Sequence, residues 1–241
     1  MEFKKQLLLI LLVIILISIV IAFYFSQPKQ YSTVRNIINI TDLPTPILSG
    51  NLSVEEAIQN RRSVRTFSNE SVSLGNVSQI LWAAQGITDT QNNLRAAPSA
   101  GQVYPLEIYV IAGNNSVSAL QAGVYLYVPS NNTLEMIMTG DARSDIAQIA
   151  DGQPWVKNAP IDLLITGNYL KMINKYNNQD LSTRFVNLEA GHAGENIYLQ
   201  SESLGLATVS LGSFNENQLK QRLDLPTNET PIYIYPVGHP A

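Results

Sequence analysis

Cysteine is absent from the 241-residue chain, which excludes disulfides, thiol catalysis, iron–sulfur clusters and thiolate zinc sites. Only two histidines occur, His192 and His239, too few for an ordinary protein-built zinc centre. Charge is also scarce: Asp, Glu, Lys and Arg make up 14% of residues, against about a quarter in a soluble domain. A disordered tail or a coiled coil needs far more. With a net charge of −4 and no basic run longer than Arg61-Arg62, the chain offers no surface suited to nucleic acid.

What the chain does have begins with one long apolar run. Leu7 to Phe25 is broken only by Ser18, and at about 1.5 Å rise per residue such a helix spans about 28 Å, the hydrocarbon thickness of a bilayer. It is longer than the apolar core of a cleaved signal peptide, and Ser26-Gln27-Pro28-Lys29 lacks the small-x-small cleavage pattern. Residues 6–25 therefore read as a retained single-pass signal anchor. Lys4 and Lys5 keep residues 1–5 cytoplasmic, and the main body is expected outside the membrane. Seven Asn-x-Ser/Thr sequons, roughly twice the chance number, agree with export. Residues 26–50, rich in Pro, Asn, Ser and Thr, read as a linker, and residues 51–241 as one domain of ordinary size.

Within that domain, Ser53-Val-Glu-Glu56 is a capping-box pattern that starts a short helix with Val54, Ala57 and Ile58 on its apolar face. A second helix runs from Ser73 to Gln85 and stops at Gly86. Leu106–Ala112, Val124–Val128, Ile161–Thr166, Ala207–Leu211 and Ile232–Val237 read as strands. Helices are expected over Asp141–Ala150, Ser182–Leu204 and Asn215–Leu223. The long one carries apolar residues on several sides, which implies burial in a core or an oligomer interface, and His192 on it reads as a core or interface residue. Strict strand–helix alternation is missing, so the class is α+β.

Three segments have chemical content. Arg61-Arg-Ser-Val-Arg65 offers three guanidinium groups and a hydroxyl; if extended, Arg61, Ser63 and Arg65 share a face and can converge on an anion, or the segment is a solvated basic turn. Ala97-Pro-Ser-Ala-Gly-Gln-Val-Tyr-Pro105 is a small-residue loop that backbone can bring close to a flat ligand, with Gly101 free to adopt unusual dihedrals. Leu204-Gly-Leu-Ala-Thr-Val-Ser-Leu-Gly-Ser-Phe214 leaves backbone N–H groups unshielded near Gly212 and Ser213. Each loop alone is equally an ordinary turn.

Together and in this order these segments resemble the FMN-dependent nitroreductase family, in particular its azoline (thiazole/oxazole, SagB-type) dehydrogenase branch. Further matching blocks are Gln153-Pro-Trp-Val-Lys-Asn-Ala-Pro160, Glu189-Ala-Gly-His-Ala-Gly-Glu-Asn-Ile-Tyr-Leu199 and Pro236-Val-Gly-His-Pro240. The resemblance implies a mostly antiparallel central sheet flanked by helices, an intertwined homodimer and FMN at its interface. It implies that Arg61, Arg62, Ser63 and Arg65 hold the FMN phosphate and ribityl chain, that Pro98, Ser99, Ala100 and Gly101 come from the partner subunit against the ring, and that Gln153 reaches its polar edge. Backbone at Leu211, Gly212 and Ser213 would face N5. Lys175 and Tyr176 resemble the pair that azoline dehydrogenases use to handle protons; the plainer alternative is a solvated loop pair among Asn174, Asn177 and Asn178. Where many relatives place a basic residue near the C-terminus, this chain has only His239, which implies a looser grip on the phosphate. The expected function is a membrane-anchored oxidoreductase that takes hydride from an unknown donor to a small conjugated, nitro or azoline-type substrate. A tethered flavin- or aromatic-binding module without turnover is the alternative.

The topology has a direct test: protease added to intact cells should remove the C-terminal domain, whereas protection in intact cells with digestion after lysis would place it inside.

Overall fold

The structure is a computed structural model that describes residue 6, residues 14–18 and residues 35–241. The chain divides into Met1–Tyr31 and Ser32–Ala241. In the first unit, residues 14–18 are helical and the Ser18 hydroxyl donates to the Ile14 carbonyl at 2.8 Å. The rest of the apolar run read as an anchor lies outside the described residues. Among the described residues no helix is long and apolar enough to cross a membrane.

The second unit opens with strand β1 (Asn39–Asp42), inside the stretch read as linker. It pairs antiparallel with β6 (Thr133–Thr139) at the sheet edge, and its mostly exposed side chains give no alternation to read. Arg35, just ahead of it, donates to the Tyr109 hydroxyl at 2.8 Å and pairs with buried Glu229. Glu229 also accepts from Tyr109 Oη at 2.6 Å and Thr166 Oγ1 at 2.9 Å. The segment is thus held by a buried polar cluster, with no covalent or apolar signature.

Helices α1 (Val54–Asn60) and α2 (Leu74–Gln85) follow. The capping box forms as read: Ser53 Oγ accepts from the Glu56 N–H, and the Glu56 carboxylate accepts from the Ser53 N–H. A small hairpin, β2 (Ile87–Asp89) and β3 (Leu94–Arg95), leads through a 3₁₀ turn at Ala100–Gln102 to β4 (Leu106–Ala112) and β5 (Gly123–Val128). After β6 come α3 (Arg143–Ile149), α4 (Pro154–Asn158), β7 (Ile161–Gly167), α5 (Tyr169–Tyr176), α6 (Gln179–Ser203), β8 (Ala207–Thr208), α7 (Glu216–Arg222) and β9 (Thr230–Gly238).

Seven strands form one sheet in the order β1-β6-β5-β4-β7-β9-β8, antiparallel at every step. Every residue of β7 is buried, as a central strand covered on both faces requires. Alternation then divides the core. Ile108, Val110, Ile161, Leu163 and Ile165 pack with Ile80 and Leu81 of α2 and with Val186, Ala190, Ala193 and Ile197 of α6. Tyr109, Ile111 and Leu164 face the other way, onto Ile146, Val156, Leu219 and Leu223 of α3, α4 and α7.

The long helix differs from its reading in detail. One stripe is buried, Val186, Glu189, Ala190, Ala193, Gly194, Ile197, Tyr198 and Ser201, while Leu188 and His192 are exposed. His192 is therefore not a core residue, because it points away from the Ala190–Ala193 stripe. Small residues let α6 lie close to the sheet. A Cβ at Gly194 would sit 2.0 Å from the Tyr235 hydroxyl and 2.9 Å from its Cζ, and Tyr235 is held by edge contacts to Tyr198 and Tyr233.

Gly194→Ala should therefore destabilise the domain by about 1–2 kcal/mol, since overpacking costs about 1–3 kcal/mol and outweighs the gain of about 1 kcal/mol in helix propensity. Adding Tyr235→Phe, which removes the nearer contact, should recover part of the loss in urea denaturation.

Candidate functional site

The arginine segment leaves α1 at Arg61, whose N–H bonds the Ala57 carbonyl, and then runs extended. Ser63 bridges Thr208 of β8, and the Val64 N–H donates to the Thr208 carbonyl at 3.0 Å. The extended register brings Arg61 and Ser63 to one partner, Tyr198 of α6. Its hydroxyl accepts from the Ser210 N–H at 2.8 Å and lies 2.9 Å from Ser63 Oγ. The Arg61 guanidinium lies 5.0 Å from the centre of its ring, with the Glu195 carboxylate 3.5 Å from its Nε.

Arg62 departs from this convergence. It turns back and donates to the Gln59 and Arg61 carbonyls at 2.9 and 2.7 Å, satisfying free carbonyls at the end of α1. Arg65 lies over the Trp155 ring at 5.6 Å. That places it beside α4, whose N-cap is Gln153. The third predicted segment reaches the same neighbourhood: Leu211 exchanges backbone hydrogen bonds with Ile234 at 2.8 and 2.9 Å, and Ser213 Oγ donates to Asp151 at 2.8 Å. Gly212 presents bare backbone, with Tyr233 the nearest group to any Cβ, at 3.8 Å.

A cavity of about 160 Å³ opens beside Arg61, Arg62, Tyr198, Ser201 and Thr208. The Ser201 hydroxyl is buried and has no hydrogen-bond partner among the described residues. The Arg61 guanidinium, the Ser201 hydroxyl and backbone at a strand end are a donor set for a phosphate, with Arg62 adding charge and Glu202 at the edge. At about half the lower end of typical small-molecule sites, near 300 Å³, the cavity would enclose one end of a cofactor.

A second group gathers around the Pro98–Gly101 loop. Gly101 has φ +60°, and a Cβ there would meet the Tyr176 hydroxyl at 2.6 Å and Lys175 Cε at 3.4 Å. The loop and the Lys-Tyr pair are thus brought together. Lys175 and Tyr176 are not in a loop, however: they form the last turn of α5, which Asn168 caps at its start and left-handed Asn177 ends. Tyr169, buried Met172 and Tyr176 mark the inward side of that helix, but eight residues between Asn-rich ends are too short a window to show a period. Tyr176 also makes an edge contact with Phe185 of α6, with ring centres 5.0 Å apart.

A further polar group, Glu189, is buried on α6 at the start of the Glu189–Leu199 block. Glu189 is 2% exposed; its Oε1 accepts from Gln85 Nε2 at 3.3 Å, and Oε2 has no partner among the described residues. Burial pushes its carboxyl up to about 7, opposed by Ser99, Gln85, Arg95 and Lys171. The available signal was an acid set within the stripe Val186, Ala190, Ala193, where apolar residues belong. Glu189 and Tyr198 are nine residues apart, about 13 Å of helix rise, so the two groups hang from successive parts of one helix.

The sequence matches the nitroreductase family over residues 58–239. The chain belongs to that family. A protein of Methanocaldococcus jannaschii named as a nitroreductase is 37% identical over 187 residues, 78% of this chain and 91% of that one. The Bacillus subtilis FMN reductase [NAD(P)H] is 25% identical, with 78% of this chain and 66% of that one covered. Among solved structures, a nitroreductase of Ralstonia eutropha superposes with a TM-score of 0.73 at 28% identity, covering 89% of this chain and 99% of that one. The Escherichia coli microcin synthetase complex shares the fold, with a TM-score of 0.65 at 19% identity over 90% of this chain and 83% of that one.

In this nitroreductase-family chain, Tyr198 joins the arginine segment to the strand end carrying Ser210. Tyr198→Phe keeps the ring under Arg61 but strands the Ser210 N–H. It should cost about 1 kcal/mol in denaturation, the usual effect of a lost hydrogen bond, and should speed tryptic cleavage after Arg61, Arg62 and Arg65.

Proposed function

We propose that this chain is an FMN-dependent oxidoreductase, held at the membrane by residues 6–25 with its domain outside, and acting as a homodimer. The observation that carries the reading is the gathering of Arg61, Ser63 and the unpaired Ser201 hydroxyl around Tyr198. The pocket beside them has Arg61 and Arg62 set among apolar wall residues with Glu202 at its edge, no metal-ligating cluster occurs among the described residues, and the arginines suit a cofactor's phosphate. The B. subtilis relative is named an FMN reductase, which supports this choice of flavin.

FMN, when bound, supplies hydride transfer at its ring while the protein supplies the slot and the polar contacts. Arg61 and Ser63 offer charge-assisted hydrogen bonds to the phosphate. Arg62, occupied at the end of α1, contributes field more than contact. Gly212 lets backbone approach a flat ring without a side chain between them, and Gln153 offers an amide at the neighbouring turn. Lys175 and Tyr176, packed on Gly101, are placed to hold a proton at Nζ or Oη for a substrate lying against the loop. In the azoline-type reading their proton handling accompanies breakage of a substrate C–H or N–H bond.

The dimer reading rests on separation and exposure. The loop group and the arginine group hang from different parts of α6, so a partner's loop can complete each site. Val54 and Ile58 of α1 are 65% and 58% exposed beside an apolar groove lined by Trp82, Ala83 and Leu199. Nothing in one copy of the described chain covers them.

The test is a titration of the full-length protein in detergent with FMN, followed by flavin fluorescence. Tight, yellow binding is expected, and Arg61→Ala should weaken it at least tenfold, because a charge-assisted bond is worth about 1.5–3 kcal/mol. Absence of flavin binding would overturn the reading. Bound flavin that, once reduced, is not reoxidised by any added acceptor would favour the module without turnover.

A further inference from the structure

The seven Asn-x-Ser/Thr sequons are unequal once the domain is folded. A glycan goes onto such a motif at the surface, where the Asn amide and the hydroxyl two residues on are both within reach. Ser78 is buried and donates to the Pro44 carbonyl at 2.6 Å, Ser116 is buried and donates to the Gly113 carbonyl at 2.9 Å, and Thr133 is buried in β6. The sequons of Asn76, Asn114 and Asn131 are thereby withdrawn. Asn39 and Thr41 lie within β1, Asn228 runs into buried Glu229 at the start of β9, and Ser53 of the Asn51 sequon is engaged in capping α1. Asn69-Glu70-Ser71 differs from all six: its three residues are exposed and lie outside every helix and strand. They project between two fixed points, because the Ser68 N–H donates to the His239 carbonyl at 2.9 Å and the Val72 N–H to the Ser116 carbonyl at 2.9 Å.

A second observation concerns what lies beside Asn69. It stands on the wall of an open cleft of about 490 Å³ whose other walls include Phe67, Asn114 and Asn115 of the β4–β5 connection, and Lys157 and Asn158 at the end of α4. That volume falls in the range of sites for small molecules, about 300–1,000 Å³. Three amides and an ammonium group offer donors and acceptors to hydroxyl groups, and the Phe67 ring offers an apolar face to the C–H side of a sugar.

We propose that Asn69 is an N-glycosylation site and that the first sugar of its glycan lies in this cleft. In the transfer, Asn69 Nδ2 forms a bond to C1 of a sugar carried on a lipid phosphate. The C1–O bond to the phosphate breaks, the lipid phosphate leaves with that electron pair, and the amide gives up one proton. The site needs the domain outside the membrane, so it rests on the membrane-anchor reading and is independent of the flavin.

The test is mass spectrometry of the full-length protein purified from the membranes of the cells that make it. Chymotrypsin, cutting after Phe67 and Leu74, isolates Ser68–Leu74, which contains the Asn69 sequon alone. That peptide should carry the mass of a glycan and lose it in Asn69→Gln. Ser71→Ala should lose it as well, although Asn69 is untouched. Enzymatic trimming of the glycan reads the cleft: Lys157→Ala with Asn158→Ala should speed it about tenfold, the effect of two lost hydrogen bonds, and an unchanged rate would remove the sugar from the cleft. A bare Asn69, or sugar on Asn76 or Asn131 with Asn69 bare, overturns the site. Protease added to the same intact cells separates the two readings. A bare Asn69 on a domain that is digested overturns the site and leaves the topology standing, whereas a bare Asn69 on a protected domain overturns both.

Discussion

Helix α6 can lie against the sheet only because Gly194 has no side chain where the Tyr235 hydroxyl stands. The polar groups that α6 carries take their position from that contact. Four residues further on, Tyr198 reaches Ser63 and Ser210; five residues before it, Glu189 accepts from Gln85 at the end of α2. A helix is rigid over this length, so a displacement at Gly194 moves both groups together. Tyr235 is in turn pinned by Tyr198 and Tyr233 and belongs to β9, the neighbour of fully buried β7. The arginine segment takes its register from the sheet directly, through the Ser63–Thr208 bridge, and from α6 through Tyr198.

Two buried carboxylates show how the same fold separates structure from chemistry. Glu229 is served by Arg35, by Tyr109 and by Thr166; these partners tie the start of the domain to β4 and β7. Such a network, fully satisfied, rigidifies. Glu189 is served on one oxygen only, and burial holds its proton into the neutral range. Because its proton comes off near neutrality, its charge is conditional. The first group is spent on holding strands together, whereas the second keeps an unpartnered oxygen inside the core.

The architecture was largely legible. Helices α1, α2, α6 and α7 appeared within a few residues of their expected bounds, because capping residues such as Ser53 and stop residues such as Gly86 act locally. Strands β4, β5, β7 and β9 were marked by runs of β-branched and aromatic residues, and the α+β class followed. Strand β1 was not legible: its exposed edge carries no alternation, and Pro44 just after it points toward a tether. Helix α5 was hidden by its length and its asparagines. The arginine segment, the small-residue loop and the strand end at Gly212 were all found as segments, yet Arg62 proved to serve α1 rather than the convergence.

The sequence by itself determined the local signals: the absence of cysteine and with it of thiol chemistry, the apolar run at residues 7–25, the helix caps, the strand cores and the ordered blocks that mark the nitroreductase family. Each depends on residues within a few positions of one another, so no knowledge of the fold is needed to read them. Only the tertiary structure decided which of those residues meet. Ser63 and Ser210 find Tyr198, Lys175 and Tyr176 find Gly101, and Glu189 finds Gln85, across separations of 12 to 135 positions. A contact of that kind is set by the register of β7 against β9 and by how closely α6 approaches them, and both are properties of packing that no short stretch of chain contains.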